Sequence, residues 1–291
     1  MPTFTSFDGT KIAYTVQGSG SPLILINGLV CDEWYWKYTV QHFSAHLQII
    51  TYDLRGHGKS AVPAVDDHVA IADHARDLAA LSNHLGLQRP IVAGYSMGVQ
   101  IMFEAYRQLR TRLGALIAVT GPYRNPAASF YGLPLPDPLI DALFQAAYKL
   151  EKPMAYLWPR VFASPLVYPL SKLTGATRAS RADMQGFYDH AKDMNVNLFL
   201  RFAQGAAHHC AEDVLPTIAI PTFIIGARYD TFTPVSLSEH MARTIPEAEY
   251  LSLEQGTHTA LIEEPEKINA AMEAFLRDRV PELFLPDTQP V

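Results

Sequence analysis

The chain has 291 residues, of which 48% are hydrophobic and 18% charged, and its formal net charge at pH 7 is −6. This balance is ordinary for a globular protein, whereas the negative charge, without any cluster of Lys and Arg, argues against nucleic acid or an anionic membrane as a partner. Only Cys31 and Cys210 are present, which excludes a disulfide framework and leaves at most one bridge.

Strand and helix signals alternate over the first 121 residues. Residues 2–7 and 10–16 flank the turn dipeptide Asp8-Gly9 and predict a hairpin. Short, continuously apolar runs predict buried strands, and apolar residues recurring every three or four positions predict helices. The strands are expected over residues 22–27, 47–52, 90–94 and 113–120. The helices are expected over residues 34–45, 68–85 and 97–109, the second of them capped by Asp66 or Asp67.

Residues 122–216 interrupt this alternation. They begin with a cluster of prolines, continue with helical patches and are rich in Phe, Tyr and Trp. That pattern favours a helical cap inserted between two strands of the sheet. Strands are expected again over residues 221–226 and 249–253, with helices over residues 234–244 and 265–278. The last residues, 280–291, contain prolines and are expected to form a loosely held tail.

The alternation predicts an α/β fold with a mostly parallel central sheet and helices on both faces, because parallel strands need crossover connections. We expect a core domain formed by residues 1–121 and 217–279, a cap formed by residues 122–216, and a C-terminal tail over residues 280–291. Ligands of such sheets bind outside the carboxyl ends of the strands. The residues that directly follow each strand are therefore the first place to look for chemistry.

The strongest motif is Gly94-Tyr95-Ser96-Met97-Gly98, a G-x-S-x-G between a predicted strand and a predicted helix. A serine on so sharp a turn projects its hydroxyl above the sheet, and the two glycines avoid collisions where strand and helix approach each other. This context predicts that Ser96 is a nucleophile and that the backbone N–H of Met97 points at the substrate oxygen. The alternative is an idle serine in a glycine-rich turn.

A serine hydroxyl needs a base within hydrogen-bond reach, and two later strand ends provide the partners. Asp230 closely follows the strand predicted over residues 221–226, and His258 lies in a glycine-containing loop after the last strand. The chain order Ser, Asp, His is the order in which the triad residues occur in proteins that carry the nucleophile on such a turn. The carboxylate would hold the imidazole in the correct tautomer. Taken alone, Asp230 is typical of a residue that caps a helix or forms a turn, and His258 is typical of a solvated histidine in a loop. Taken together with Ser96, the two residues predict a catalytic triad.

The segment Asn27-Gly28-Leu29 follows the first predicted parallel strand. Its position predicts a second backbone donor for a substrate oxyanion, the N–H of Leu29, beside the N–H of Met97. The alternative is a simple turn after a strand.

One further motif completes a resemblance. Together with the serine motif and the triad order, the loop Asp53-Leu-Arg-Gly-His-Gly-Lys-Ser60 makes the chain from about Phe4 to Leu276 similar to the α/β-hydrolase family. The resemblance implies that this loop is structural and that Asp53 is not the catalytic acid. Many members carry His-Gly where this chain has Asn27-Gly28, an exchange expected to alter the hydrogen bonds of the loop while preserving the backbone donor.

Two other motifs are weaker. Gly58-Lys59-Ser60 imitates the end of a phosphate-binding loop, but residue 53 is Asp where that motif requires glycine. The run His208-His209-Cys210 suggests a metal, yet adjacent residues on a helix diverge rather than converge. We therefore expect neither a metal nor an organic cofactor.

The start of the chain and its apolar runs bear on its location. Residues 1–11 do not combine a basic start with an apolar core, so no signal peptide is predicted. The longest apolar runs, such as residues 23–26, have strand length and are too short to cross a bilayer. Because the cysteines are also sparse, we expect a cytoplasmic protein without stable membrane insertion.

These residues predict a serine hydrolase that cleaves an uncharged, hydrophobic carboxylic ester through an acyl-enzyme on Ser96. The resemblance describes such an enzyme as a carboxylesterase or a lipase-like hydrolase. The aromatic cap, which lacks an evident Arg or Lys clamp, favours a small hydrophobic ester or lactone as substrate. The predicted substrate contacts are Asn27, Tyr95, Phe144, Tyr148 and Trp158, although packing of the cap is the more common role of an aromatic residue such as Trp158.

Other functions stay open at this point. A lactonase, a C–C bond hydrolase, a peptidase or an acyltransferase would use the same triad. Outside the enzymes, the rival is a hydrolase-like protein that binds a ligand without turning it over. Either a monomer or a homodimer is expected.

Overall fold

The computed structural model describes residues 1–64, 68–125 and 135–284. The helix cap predicted at Asp66 or Asp67 and the part of the predicted tail after residue 284 lie outside these residues. Both cysteines are free thiols, Cys31 buried and Cys210 exposed. The single bridge that the cysteine count leaves open is therefore not formed.

A single sheet of eight strands runs through the described residues. The strands are β1 (Thr3–Thr5), β2 (Lys11–Gln17), β3 (Pro22–Ile26), β4 (Gln48–Tyr52), β5 (Ile91–Tyr95), β6 (Ala115–Val119), β7 (Thr222–Ala227) and β8 (Glu249–Leu253). Their spatial order is β1-β2-β4-β3-β5-β6-β7-β8. β2 pairs antiparallel with both β1 and β4, and every other pair is parallel. The predicted mostly parallel α/β fold is confirmed.

Twelve α-helices accompany the strands in the described residues. They are α1 (Lys37–Phe43), α2 (Ile71–His84), α3 (Met97–Leu109), α4 (Asp137–Lys149), α5 (Glu151–Ala163), α6 (Val167–Leu173), α7 (Arg181–Asp193), α8 (Val196–His208), α9 (Val235–Thr244), α10 (Ala260–Glu263), α11 (Pro265–Arg279) and α12 (Pro281–Phe284). The helix predicted over residues 34–45 is divided into a 3-10 turn over Glu33–Trp36 and α1.

The core lies on both faces of the sheet. Alternate residues of a strand point to opposite faces, so Ile24 and Ile26 of β3 pack with α2, α3 and α9. Leu23 and Leu25 pack on the other face with α1 and α11. All four side chains are fully buried, and each such burial stabilises the fold by about 1.5–3 kcal/mol. This double covering explains why β3 is apolar without alternation.

The start of α2 shows how a local carboxylate sets a boundary. The periodic pattern predicts a helix from residue 68, but α2 begins at Ile71. The carboxylate of Asp73 accepts a hydrogen bond from the N–H of Ala70 at 3.1 Å. That bond satisfies one of the N–H groups that the first helical turn leaves unpaired, and it fixes the start of the helix there.

Five helices, α4 to α8, occupy the predicted cap among residues 135–208. Ala191, Met194, Leu198 and Phe202, from α7, α8 and the turn between them, form an apolar cluster with Val30, which lies in the loop after β3. This contact seats the helices above the carboxyl ends of the strands. The division of the chain into a core domain and a cap stays a prediction. A cap would have to lie above the carboxyl ends of the strands, which is where these five helices lie.

The first residues of the predicted tail are packed. Residues 281–284 form the helical turn α12, and Phe284 is buried against Phe43, with ring centroids 6.4 Å apart. Burial of this aromatic side chain favours the ordered form of the segment. The expectation of a loosely held tail is therefore wrong for residues 281–284.

Candidate active site

Ser96 lies on a sharp turn between β5 and α3, with a φ of 53°. Few residues other than glycine adopt this conformation, and it persists only where the surroundings enforce it. A Cβ atom added at Gly98 would lie 2.5 Å from the carbonyl oxygen of Ile26, and one added at Gly94 would overlap the carbonyl of Gly98. The two glycines of the motif are thus required because strand and helix backbones meet at this turn.

The structure brings together the three residues predicted as a triad. Ser96 Oγ lies 3.0 Å from His258 Nε2, and His258 Nδ1 lies 2.8 Å from Asp230 Oδ2. Asp230 follows β7 and His258 follows β8, so all three positions lie at the carboxyl edge of the sheet. The Asp230 side chain is fully buried and that of His258 is 14% exposed. The arrangement allows a proton to pass from the serine hydroxyl to an imidazole held by a buried carboxylate.

Asp230 is held by donors from the turn that follows β7. Its Oδ1 accepts the N–H groups of Phe232 and Thr233, each at 2.8 Å. The hydroxyl of Thr233 lies 2.6 Å from Oδ2 and 3.0 Å from the carbonyl oxygen of Thr120. The helix that follows, α9, begins at Val235 and has no side-chain cap. The hydroxyl of Thr233 orients the carboxylate instead of capping that helix.

The backbone of His258 is anchored from two sides. The hydroxyls of Tyr95 and Thr120 donate to its carbonyl oxygen at 3.1 and 3.3 Å. Glu263 accepts hydrogen bonds from the hydroxyls of its neighbours Thr257 and Thr259, each at 2.6 Å. Neither Tyr95 nor Glu263 carries a sequence motif for this role. The spacing of Glu263, five residues after the histidine, was the only signal that could have found it.

Two backbone N–H groups near Ser96 have no protein acceptor within the described residues, those of Leu29 and Met97. Met97 is the first residue of α3, where the helix itself offers no partner. The loop of Leu29 approaches the serine closely, since a Cβ at Gly28 would lie 2.9 Å from the Cβ of Ser96. Both groups are free to donate to an oxygen bound beside Ser96.

Asn27, which replaces the more usual histidine, lies fully buried beneath this loop. Its Nδ2 donates to the carbonyl oxygen of Tyr52 at 3.3 Å. This bond ties the start of the loop to β4, and the effect of the exchange on the hydrogen bonds of the loop stays a prediction.

A cavity of about 670 Å³ opens above Ser96 and His258. Aromatic side chains of the cap helices supply much of its wall: Phe144, Trp158, Phe162, Phe187 and Phe199. Among the described residues that line it, none is Lys, Arg, Asp or Glu. Such a chamber suits an uncharged apolar ligand, because a charged group inside it would lose hydration without gaining a partner.

The predicted substrate contacts divide into two groups. Tyr95, Phe144 and Trp158 line the cavity, and Trp158 also packs the cap, because its Nε1–H donates to the carbonyl oxygen of Ala191 at 2.7 Å. Asn27 and Tyr148 are not among the lining residues. Asn27 lies under the loop, and the hydroxyl of Tyr148 is turned to Gln204 Oε1 at 2.8 Å. The positions of these two residues do not support the prediction that they contact substrate.

The described residues hold no group of three or more His, Cys, Asp or Glu side chains arranged to bind a metal ion. His208 and His209 illustrate the divergence expected of neighbours, since their Nε2 atoms face Asp141 at 2.8 Å and Glu104 at 3.4 Å respectively. Within residues 1–64, 68–125 and 135–284, every helix is too short or too polar to cross a bilayer.

Comparison with known proteins agrees with this architecture. The profile of the family described as "alpha/beta hydrolase fold" matches residues 21–265. RutD of Rhizobium rhizogenes, named as a carbamate hydrolase, is 26% identical over 91% of this chain and 98% of its own. The (E)-2-((N-methylformamido)methylene)succinate hydrolase of Acinetobacter baylyi is 24% identical over 90% of this chain and 93% of its own. An esterase from Exiguobacterium antarcticum superposes with a TM-score of 0.78 at 21% identity, covering 94% of this chain and 98% of that one.

Proposed function

The chain belongs to the α/β-hydrolase fold family, and from that premise we propose that it is a serine hydrolase of uncharged, hydrophobic carboxylic esters, with Ser96, His258 and Asp230 as its catalytic triad. The observation that carries the proposal is the continuous contact from Asp230 through His258 to Ser96, with spacings of 2.8 and 3.0 Å, opening into an apolar cavity. A buried carboxylate, an imidazole and a strained serine in this geometry suit nucleophilic catalysis.

The proposed reaction has two steps. Ser96 Oγ bonds to the ester carbonyl carbon while its proton passes to His258 Nε2, and the carbonyl oxygen becomes an oxyanion held by the N–H groups of Met97 and Leu29. The oxyanion collapses, the bond to the alcohol oxygen breaks, and His258 returns the proton to the alcohol. A water molecule then gives a proton to His258 and its oxygen bonds to the acyl carbon. The bond between that carbon and Ser96 Oγ breaks, His258 returns the proton to Oγ, and the acid leaves.

The walls of the cavity support the substrate class. A volume of about 670 Å³ is in the range of pockets that enclose a drug-sized molecule, so a small carbamate would leave most of it unfilled. A succinate derivative would bring carboxylates to walls on which the described residues offer no Lys or Arg. We therefore favour an ester with an extended apolar acyl or alcohol group over the substrates for which the two relatives are named.

A lactone would fit the same chamber and react by the same steps, since a lactone is an internal ester. No contact in the cavity separates the open-chain ester from the ring. A screen that includes both classes decides between them by kcat/KM.

The proposal is tested with the Ser96→Ala variant. Wild-type protein is expected to hydrolyse p-nitrophenyl esters and to be labelled by a fluorophosphonate probe, whereas Ser96→Ala loses both activities by several powers of ten, because removal of a triad member leaves only binding and oxyanion stabilisation. The screen includes lactones, carbamates and succinate esters beside the p-nitrophenyl series.

Ser82→Ala is the matched control. The Ser82 hydroxyl is buried on α2, has no hydrogen-bond partner within the described residues and does not line the cavity. Its removal should leave labelling unchanged. Wild-type protein that resists the probe would support a hydrolase-like binding protein instead, and near-normal turnover by Ser96→Ala would refute the role of the serine.

A further inference from the structure

His57, in the loop between β4 and α2, has a hydrogen-bond partner on each ring nitrogen. Its Nδ1 lies 3.1 Å from the carbonyl oxygen of Arg55, and its Nε2 lies 3.3 Å from the backbone nitrogen of Val30. A carbonyl only accepts and a peptide N–H only donates. The neutral tautomer is thereby fixed, with the proton on Nδ1 and an acceptor lone pair on Nε2. The ring is 1% exposed, and burial lowers the pKa of His57 to about 4.

Val30, which receives this contact, has a strained backbone. Its φ is 60°, a conformation that is a genuine outlier for a β-branched residue. Strain of this kind costs on the order of 1–3 kcal/mol and survives only where neighbouring groups enforce it. Three contacts restrain Val30. His57 holds its N–H, and the apolar cluster around Phe202 holds its side chain. The N–H of Cys31 closes the turn by donating to the carbonyl oxygen of Gly28 at 3.3 Å.

His57 is itself rigidly mounted. Arg55, whose carbonyl holds Nδ1, is fully buried and ion-paired through its guanidinium with Asp77 at 2.6 Å and with Asp8 at 2.9 Å. The ring of Phe202 packs against the imidazole, with centroids 5.1 Å apart. The position of the imidazole is therefore fixed, and the loop after β3 is hydrogen-bonded to it through Val30.

The bond has a direct consequence for the neighbouring residue. The N–H of Val30 lies in the plane of the Leu29–Val30 peptide, so its bond to His57 fixes that plane. The preceding peptide, Gly28–Leu29, carries the Leu29 N–H, which has no protein acceptor in the described residues. A fixed Leu29–Val30 plane restricts how far this adjoining peptide can turn.

We propose that His57 is a positioning residue for oxyanion stabilisation: by accepting the N–H of Val30, its Nε2 holds the loop in the strained conformation that presents the Leu29 N–H to the substrate oxygen. The inference rests on the proposed function, because it assigns Leu29 a role in that reaction. The catalytic steps themselves remain those of Ser96, His258 and the two backbone donors.

The test begins with His57→Leu, which keeps most of the volume and removes the acceptor. The Val30 N–H is then buried without a partner, the strain in Val30 is released, and the Leu29 N–H moves. The loss of one oxyanion donor typically costs about 100- to 1000-fold in rate, so partial misplacement should lower kcat by about 10- to 100-fold. KM should change by less than about threefold, since the donor acts mainly on the transition state.

His57→Gln is the rescue variant, because its amide oxygen can accept the Val30 N–H. It should recover at least part of the lost kcat. Concentrations are corrected by active-site titration with a fluorophosphonate, so that a merely unstable protein does not pass for a slow one. The second-order rate of fluorophosphonate labelling is measured in parallel, because the phosphonyl oxygen occupies the same oxyanion position.

His74→Leu is the matched control. His74 is a second fully buried histidine that packs against Phe202, with ring centroids 5.1 Å apart, but its ring nitrogens have no partner in the described residues. The His74→Leu variant should retain the wild-type kcat when the rate is divided by the concentration of titrated active sites. An unchanged kcat and labelling rate in His57→Leu, or an equal loss in His74→Leu, would overturn the inference while leaving the proposed function intact. A wild-type protein that neither labels nor hydrolyses esters would contradict both.

Discussion

At the scale of single residues, the site depends on side chains that never touch the substrate. The carboxylate of Asp230 receives two backbone N–H groups and the hydroxyl of Thr233 in addition to His258. Hydrogen bonds to a charged group are worth about 1.5–3 kcal/mol each, more than those between neutral groups. The orientation of the carboxylate, and through it that of the imidazole, is thus determined by a short turn after β7.

Replacement of Thr233 by Val removes the hydroxyl and keeps the shape. We expect kcat to fall about tenfold, equivalent to about 1.4 kcal/mol in activation free energy, because Asp230 loses one of the donors that fix it. KM should stay near its wild-type value. Thr233→Ser, which restores the hydroxyl, should recover most of the rate in steady-state assays. Equal activity of the Val and Ser variants would show that the hydroxyl does not contribute.

The residues that the sequence revealed differ physically from those that it did not. Ser96, Asp230 and His258 follow apolar strands, so their common location could be predicted from the rule that parallel strands end at one edge. The roles of Thr233, Tyr95 and His57 arise from contacts between loops far apart in the chain, for which no periodic pattern exists. The tie between Asn27 and Tyr52 likewise depends on the neighbouring strand rather than on the motif.

At the scale of elements, the cap helices each have one face toward the cavity and one toward solvent. On α4, Phe144 lines the cavity while its neighbour Leu143 is 53% exposed. The periodic apolar pattern predicted a helix there. Tyr148 lies one turn after Phe144 on the same side of α4, but its hydroxyl donates to Gln204 of α8, a contact between helices that a periodic pattern does not show.

Phe144→Ala should weaken the binding of long acyl chains. We expect kcat/KM for a p-nitrophenyl octanoate to fall about fivefold, because about 1 kcal/mol of apolar contact is lost, while the value for the acetate changes little. Leu143→Ala, on the exposed side of the same helix, is the control and should alter neither value. If both substrates lost activity equally, Phe144 would be stabilising the cap rather than contacting the chain.

At the scale of the whole molecule, buried histidines make stability dependent on pH. Burial lowers the pKa of His57 to about 4 and that of His74 well below the ordinary 6.5. In the unfolded chain both rings take up protons below about pH 6.5. The unfolded state therefore binds more protons than the native state between about pH 6.5 and pH 4, and stability decreases as the pH falls through that window.

Urea unfolding measures this effect. For His57 alone, the free energy of unfolding should drop by about 2 kcal/mol between about pH 7.5 and pH 5. The His74→Leu variant should lose less stability than wild type over the same interval, because one of the two neutral rings is gone. An identical loss in both proteins would show that His74 is protonated in the native state at pH 5.

The ion pair of Lys37 and Asp183 affects stability in a separate, more acidic pH range. Burial raises the pKa of Asp183, but hydrogen bonds from Lys37, Ser180 and Tyr38 outweigh that effect and hold the pKa at about 2. The stability from this group is present above about pH 3.8 and is lost only as the pH falls toward 2. The ion pair therefore contributes little to any change in stability above about pH 4.

The contrast between the two thiols gives the protein a natural position for a spectroscopic label. Cys31 lines the cavity, and burial raises its pKa, so that it remains an unreactive thiol near neutral pH. Cys210 is exposed and follows the end of α8. Its backbone forms an isolated antiparallel β-bridge with Arg124, and these two residues lie where the chain enters and leaves the predicted cap. A maleimide fluorophore should therefore attach to the wild-type chain at a single place, beside the base of the predicted cap, and a change in its emission when substrate is added would report a movement of the cap.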